Sequence, residues 1–485
     1  MSVSTVAASP RPGPSIRVSI ASALVITLQV LAVAWGAFAF GAVYPWAYWP
    51  LIAAAATAGA LAFVVPGRSQ SGTRTLSWCL LLFAVATAVQ LVPLPRSVLA
   101  ATSQARDALL TSYNLVYANT RAGTVWHPLS IAPDSTWLGL ACFVAFGLFL
   151  LGSARFFSVR GTGVTIGCVL AVGLVLALAG IIQDVTYEGK IYGFWPDPYV
   201  NKPFGPFINK NNFAGWMLMA VPLALGFVVS RAVSGLRYVR EDWHSRVLWI
   251  SSPSGSQVLL ALCASLVMGV SIVLSLSRSG IIALALTLVL VTLFLAMRRA
   301  GRVQRLLMIL AVVAFLGALA AMAGTDAMAV RFNDGTAATL EGRIGAWKDA
   351  STITRTFPLV GSGLNTFPTA MLFYQVHDLY NYWSEAHNDY LQLFAEGGVL
   401  LVVPAILALV VFVRAVRQRF AEDSERRSSY WIRVGAVTAL IAIGLQELVE
   451  FSLQIPGNAC LFTLIGAIAL HRPIPARDPA TGSGS

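Results

Sequence analysis

Residues 257–297 read QVLLALCASLVMGVSIVLSLSRSGIIALALTLVLVTLFLAM and contain a single charged residue, Arg278. On each side of Arg278 lies an apolar run of about 20 residues, which is the length that a helix needs to cross the roughly 30 Å hydrocarbon layer of a bilayer. The whole chain is 57% hydrophobic and only 11% charged, whereas soluble domains carry about 25% charged residues. The sequence therefore predicts an all-α membrane protein.

Apolar runs of spanning length recur along the chain, and they predict about twelve transmembrane helices. The runs cover about 18–41, 46–66, 75–93, 135–154, 162–183, 211–231, 257–277, 279–297, 305–324, 397–413, 434–450 and 455–471. The first run is too long for the apolar core of a cleavable signal, so we interpret it as the first span. We expect one transmembrane domain at 18–471, flanked by disordered cytoplasmic tails at 1–17 and 472–485.

The net charge of +12 follows the topology of the predicted helices. With the N-terminus in the cytoplasm, about two thirds of the 33 Lys and Arg residues fall on the inner side, as the positive-inside rule requires. The basic excess therefore reflects membrane orientation, and it does not indicate a nucleic-acid partner. The same orientation places both termini inside and the segment 325–396 outside.

The segment 325–396, between the ninth and tenth predicted spans, is too long for a simple linker and is predicted to be functional. Its pattern predicts short helices at about 340–355 and 366–377. Ser384 is a favourable N-cap for a helix that continues into the tenth span. His387 would then lie in the first turn, where the helix dipole favours a neutral imidazole that can act as a general base.

Polar residues also occur where other spans meet the outer face. Asn209, Lys210 and Asn211 precede the sixth span and predict either an anion or sugar site or a capped helix start. Arg278 occupies a tight outer turn, where its guanidinium could bind phosphate oxygens or extend to lipid headgroups. Glu447 and Glu450 share a helix face and could either pair with outward arginines or mark an interfacial helix end.

Together these residues predict chemistry on a membrane-borne diphosphate. Arg278, Arg343 and Lys210 suit a diphosphate at the outer bilayer surface, and His387 suits activation of a hydroxyl nucleophile. The sequence has no Asp-x-Asp pair and no His/Cys cluster, so it indicates no divalent metal site and no cofactor. Because the outer face of a cell membrane holds no ATP or nucleotide-sugar pool, the activated donor would have to be lipid-linked.

The chain resembles the O-antigen ligase/polymerase superfamily of bacterial integral membrane glycosyltransferases. The resemblance runs from about Gly205 to Ile406, and the most specific part is His-Asn, nine residues, then Gly, ending here at Gly398. Leu401 departs from the small or polar residue of the family pattern. The resemblance is carried by these motifs: Gly205-Pro-Phe-Ile-Asn209-Lys-Asn211-Asn-Phe213-Ala214; Ser277-Arg278-Ser279-Gly280; Gly342-Arg343-Ile-Gly-Ala-Trp347 with Gly361-Ser-Gly363; and His387-Asn388-Asp-Tyr-Leu-Gln392.

The resemblance implies a GT-C-like all-helical membrane fold with a large periplasmic loop between helices 9 and 10, and a core at about 205–406. It also implies a metal-independent enzyme of the bacterial inner membrane that transfers a glycan from undecaprenyl diphosphate to an acceptor hydroxyl. By motif match, Arg278 and Arg343 would hold the diphosphate, and His387 would deprotonate or orient the acceptor. The predicted substrate-binding residues are Lys210, Asn209, Asn211, Trp347, Asn388 and Tyr390.

The acceptor is left open by the sequence, because ligation to lipid A-core, polymerisation of the glycan and transfer to protein all fit the motifs. We describe the function as ligase-type because of the His-Asn-x9-Gly pattern. A polyprenyl-glycan transporter is the alternative from another class. It would predict ionisable residues near mid-membrane and often repeated halves, and the sequence shows neither.

Overall fold

The computed structural model describes residues 16–66, 73–119, 125–196, 202–237, 239–240, 242–299, 317, 336–422 and 427–472. Helices make up most of this part of the chain, and we number them in order. The long helices are α1 (Ile16–Phe38), α2 (Pro45–Val64), α3 (Arg74–Leu91), α7 (Pro133–Arg160), α8 (Gly163–Thr186), α9 (Lys210–Leu236), α11 (Pro253–Leu274), α12 (Arg278–Arg299), α13 (Thr336–Thr356), α15 (Asp389–Glu422), α16 (Arg427–Gln446) and α17 (Pro456–Leu470).

Shorter elements lie between the long helices. They are α4 (Arg96–Thr102), α5 (Gln104–Tyr113), α6 (Leu115–Asn119), α10 (Trp243–Ile250), α14 (Phe367–Tyr374) and two 3₁₀ turns, Phe40–Ala42 and Ser452–Gln454. Two antiparallel pairs of very short strands complete the described part: β1 (Leu94–Pro95) with β2 (Trp126–His127), and β3 (Lys190–Ile191) with β4 (Trp195–Pro196).

Within the described residues, nine helices are long and apolar enough to cross a membrane, and two shorter apolar helices cover Arg278–Val289 and Pro456–Leu470. These eleven helices coincide with eleven of the predicted spans. The ninth predicted span, 305–324, falls outside the described residues apart from position 317. The predicted all-α polytopic membrane fold is therefore confirmed, whereas the number of twelve spans stays a prediction.

The predicted tails fall almost entirely outside the described residues. Positions 16 and 17, which the sequence analysis places in the N-terminal tail, belong to the first turn of α1. The start of the predicted outer segment, 325–335, also lies outside the described part of the chain.

α9 is the central helix of the bundle, and almost its whole length is buried. It packs most extensively on α16, with Gly226 facing Gly435. A Cβ added at Gly226 would lie 2.7 Å from the Cα of Gly435. Small residues allow two membrane helices to approach closely in this way. The packing fixes the N-terminus of α9, which carries the asparagine motif, against the turn that follows α16.

α13 and α14 coincide with the two short helices that the sequence predicts in the outer segment. They share an apolar core with the residues before and inside the start of α15. The buried members of this core are Ala350, Ile353, Phe357, Phe367, Ala370, Met371, Ala386 and Ala395. The described part of this segment before α15, 336–388, is therefore a packed layer that rests on α15.

A break in α15 at Gly398 attaches this layer to the membrane helices. Gly398 has φ 53° and ψ −158°, a conformation that is open essentially only to glycine. The break leaves the Val399 N–H to donate to the Pro358 carbonyl at 3.0 Å. A Cβ at Gly361 would lie 2.1 Å from the Glu396 carbonyl oxygen. Gly361 and Gly398, which both occur in the sequence motifs, therefore allow their two backbone segments to pack directly against each other.

Candidate active site

The side chain of Glu450 joins three distant segments of the chain. Glu450 lies in the turn between α16 and the 3₁₀ turn Ser452–Gln454, and 1% of its side-chain surface is exposed. Its Oε1 accepts hydrogen bonds from Asn211 Nδ2 at 2.8 Å, Ser279 Oγ at 3.0 Å and Arg343 Nη2 at 2.7 Å. The buried Oε1 atom of Glu450 thus binds one residue from each of three sequence motifs.

The fourth motif reaches the same carboxylate through His387. His387 Nδ1 lies 3.5 Å from the other oxygen, Glu450 Oε2. This separation is longer than a well-formed hydrogen bond, but neither buried atom has another hydrogen-bond partner among the described residues. The rings of Trp383 and Phe451 pack edge-on against the imidazole, with centroids at 5.2 and 4.6 Å. The aromatic rings therefore hold Nδ1 toward Glu450.

Glu450 is negatively charged at neutral pH. Burial alone would raise the pKa of its carboxyl, but the facing imidazole of His387 and the charge of Arg343 outweigh that effect and hold the pKa below its ordinary value. The carboxylate is thus available as a partner for both a guanidinium and an imidazole.

The start of α15 differs from the prediction. α15 begins at Asp389, and Asn388 Oδ1 accepts the Leu391 N–H at 3.0 Å, so Asn388 rather than Ser384 is the N-cap. Both residue types cap helices well, and the asparagine caps here because His387 turns the chain with φ +49°. The prediction that His387 lies in the first turn is wrong, and the helix-dipole argument for a neutral imidazole loses its basis.

The left-handed conformation of His387 is itself informative. A non-glycine residue held at such a φ costs about 1–3 kcal/mol, and such residues cluster at functional sites. The cost is offset locally, because the His387 carbonyl accepts a hydrogen bond from Trp347 Nε1 at 3.3 Å. Trp347, predicted to bind substrate, therefore helps to hold the histidine in this conformation.

The asparagines at the start of α9 have two different roles. Asn209 is the N-cap of α9, and its side chain accepts the Asn211 N–H at 2.9 Å. Asn211 donates to Glu450, and its Oδ1 accepts from Ser277 Oγ at 2.8 Å. Asn209 thus fits the capped-helix interpretation, while Asn211 belongs to the polar network. Lys210 is partly buried at the first position of α9.

Arg278 is the first residue of α12 and is partly buried. It lies between two serines of the network, because Ser277 binds Asn211 and Ser279 binds Glu450. The backbone of Arg278 is therefore at the edge of the same cluster that contains Arg343 and His387.

Asn388 connects the start of α15 to the turn that carries Glu450, and Tyr390 connects it to the last turns of α16. Asn388 Nδ2 donates to the Leu448 carbonyl at 3.1 Å, and the Tyr390 hydroxyl donates to the Gly444 carbonyl at 2.8 Å. These contacts hold the start of α15, which follows His387, beside the segment that carries Glu450. Their predicted part in substrate binding stays a prediction.

The pKa values of Glu447 and Glu450 are shifted in opposite directions, although the two residues lie only three positions apart. Burial raises the pKa of Glu447 well above its ordinary value, and the nearby negative charge of Asp389 raises it further. Burial and Asp389 thus favour the protonated form of Glu447, whereas His387 and Arg343 favour the ionised form of Glu450. The sequence alone left the roles of both glutamates open, and it did not include Glu450 in the site.

No group of three or more His, Cys, Asp or Glu side chains suited to a metal ion occurs within the described ranges. The polar cluster instead consists of one carboxylate, one imidazole, arginine, and serine and asparagine side chains.

Part of the chain is similar to a known protein family. Residues 263–406 match the family model described as O-antigen ligase, and no curated protein matches the chain. The matched part includes Arg278, Arg343 and His387, whereas Asn211 and Glu450 lie outside it. The match over residues 263–406 confirms the resemblance of this chain to the O-antigen ligase/polymerase superfamily.

Proposed function

We propose that this chain transfers a glycan from undecaprenyl diphosphate to an acceptor hydroxyl at the periplasmic face of the bacterial inner membrane, in the manner of an O-antigen ligase. In this proposal both termini lie in the cytoplasm. The observation that carries it is the convergence of Asn211, Ser279, Arg343 and His387 on Glu450.

Arg343 and Arg278 would bind the diphosphate of the donor. A guanidinium has five N–H donors, and the salt bridge of Arg343 to Glu450 uses Nη2. The Arg343 side chain keeps 18% of its surface accessible, so its remaining donors can bind phosphate oxygens. Positive charge fixed at this position would stabilise the negative charge that develops on the leaving diphosphate.

His387 would act as the general base. With Nδ1 directed at the Glu450 carboxylate, the proton of a neutral imidazole is held on Nδ1 and Nε2 is left to accept a proton. A carboxylate that orients a histidine in this way recurs in Ser-His-Asp enzymes. The acceptor oxygen would attack the anomeric carbon as His387 takes its proton. The carbon–oxygen bond to phosphate would break, and the diphosphate would leave with the electron pair.

The remaining predicted residues would bind the substrates around this centre. Lys210 and Asn209, at the start of α9, would lie beside the diphosphate, and Asn211 would orient Glu450. Trp347, Asn388 and Tyr390 would shape the site on the side of His387. No metal or cofactor takes part in the proposed reaction.

Glycan analysis of a strain that lacks the gene tests the proposal and separates the acceptors. We expect long lipid-linked glycans that never reach lipid A. Single repeat units would indicate a polymerase, and loss of glycan from protein alone would indicate a protein transferase. A strain that displays all its glycans normally would contradict glycan transfer altogether.

A further inference from the structure

A cavity lies away from Glu450, where α5 packs beside the layer formed by α13 and α14. It has a volume of about 340 Å³, within the range of sites for small molecules, and it lies between α5 and α14. Its lining includes Arg106, Asn114 and His127, together with the rings of Tyr113 and Phe373. The cavity thus combines a cation, polar side chains and aromatic surfaces.

Arg106 is the unusual member of this lining. Only 8% of the residue is exposed, and its Nε donates to the Pro128 carbonyl at 3.4 Å. Within the described residues no carboxylate lies within salt-bridge distance of its guanidinium. The adjacent Asp107 binds Arg96 at 3.3 Å and the Tyr117 hydroxyl at 2.5 Å instead.

The charge of Arg106 persists despite its burial. Burial lowers the pKa of its guanidinium to about 10, so the group stays protonated at neutral pH. Residues 120–124, which follow α6 in the sequence and lie outside the described ranges, contain no acidic residue. A buried charge normally has a partner of opposite charge, and the cavity beside Arg106 is where one can bind.

The rest of the lining suits a sugar ring rather than a bare anion. The rings of Tyr113 and Phe373 lie 5.1 Å apart between centroids, at an interplanar angle of 55°, and both are exposed. Such rings offer flat apolar surfaces to the C–H face of a sugar. Asn114 and His127 add polar groups that can bind hydroxyls.

The cavity is connected to the candidate active site by a shared apolar core. Ala105 and Leu109 of α5 pack on the core that contains α14 and Ala386. Trp383, whose ring contacts His387, packs on the same core. A glycan that reaches His387 could therefore extend over this layer.

We propose that the cavity lined by Arg106, Tyr113 and Phe373 binds an acidic sugar residue, with the sugar carboxylate on Arg106 and the sugar ring against the two aromatic side chains. The assignment of this sugar to the transferred or accepting glycan rests on the proposed function. Binding itself does not, because it needs no transfer.

Binding of D-glucuronate and D-galacturonate to the purified full-length protein, measured by saturation-transfer NMR and calorimetry, tests the site. We expect at least one uronate to bind the wild type and Arg355→Gln, which removes an exposed arginine of the same layer. The same uronate should bind Arg106→Gln roughly 10-fold or more weakly, as expected for a lost charge-assisted hydrogen bond. D-glucose and D-glucuronamide should bind all three proteins as weakly as the uronate binds Arg106→Gln.

Three results would overturn the proposal: no uronate binding to the wild type, equal uronate binding to Arg106→Gln, or inorganic phosphate binding as tightly as the uronate. If Arg106→Gln unfolds, Phe373→Leu replaces it, and undiminished uronate binding to that variant would likewise overturn the proposal. His387→Ala should bind the uronate normally, which separates this test from that of the transfer reaction.

A transfer assay identifies the source of the acidic sugar. Arg106→Gln should raise the KM for the lipid-linked donor if the sugar belongs to the donor, or the KM for the acceptor if it belongs to the acceptor. An unchanged KM for both substrates would contradict a glycan subsite.

Discussion

His387 Nδ1 and Glu450 Oε2 lie 3.5 Å apart, while the second oxygen of the same carboxylate binds Arg343 at 2.7 Å. One buried carboxylate therefore orients both the proposed base and one of the proposed diphosphate-binding arginines. Both His387 and Arg343 require the negative charge of the Glu450 carboxylate for this orientation.

The charge of Glu450 should be required for activity. Glu450→Gln keeps the shape of the side chain but removes the negative charge that pairs with Arg343 and orients His387. We therefore expect transfer to fall roughly 100-fold or more, as when the carboxylate of a catalytic triad is neutralised. The measurement is the transfer rate per folded protein. Glu341→Gln is the control, because Glu341 is an exposed residue of α13 and lies two positions before Arg343. Equal rates for the two variants would contradict the role of Glu450.

The ion pair should also make stability depend on pH. The folded-state pKa of Glu450 is held below its ordinary value. Its contribution is therefore fully present above the unfolded pKa of about 4.3, and it is lost as the pH falls through the lower folded-state pKa. The difference in thermal stability between wild type and Glu450→Gln should be constant near neutral pH and shrink in acid. A difference that grows in acid would show that Glu450 is protonated in the folded protein.

The break in α15 should tolerate no side chain at Gly398. Alanine there would have to adopt φ 53° and ψ −158°, and its Cβ would lie 2.7 Å from the Gly361 nitrogen. We expect a loss of stability of about 1–3 kcal/mol, measured by thermal unfolding. Gly147→Ala is the matched control, because a Cβ at Gly147 meets nothing within 4 Å in α7. Equal unfolding temperatures for the two variants would contradict the need for glycine at the break.

The position of the N-cap can be tested with two alanine substitutions. Asn388→Ala removes the acceptor of the Leu391 N–H and should cost about 1 kcal/mol of stability. Ser384→Ala should have almost no effect, because Ser384 is exposed and precedes the helix. Thermal unfolding measures both, and faster hydrogen exchange at Leu391 should accompany only the first. The reverse order of effects would restore Ser384 as the cap.

Residues with local sequence signals could be predicted well. Apolar runs separated by charged or turn residues predict the membrane-spanning helices of the described ranges, because length and hydropathy decide whether a segment can span a bilayer. They do not predict the short helices α4, α5, α6 and α10. Arg343 and His387 were found because they occur in short motifs. Both then meet at Glu450 in the structure.

Residues defined by long-range contacts could not be predicted. Glu447 and Glu450 look alike in sequence, but burial and the nearby Asp389 raise the pKa of Glu447, whereas His387 and Arg343 lower the pKa of Glu450. The sequence misplaces the start of α15 because Ser384 and Asn388 are both good caps. The turn at His387 is contacted by Trp347 and Phe451, which are distant in the sequence.

The most direct test is transfer of a lipid-linked glycan by the purified protein in liposomes, with release of the carrier diphosphate measured alongside. Wild type should transfer the glycan and release one carrier diphosphate for each transfer. His387→Ala should stay folded but transfer roughly 100-fold or more slowly, because it lacks the general base. Transfer by His387→Ala at the rate of the wild type would contradict the account.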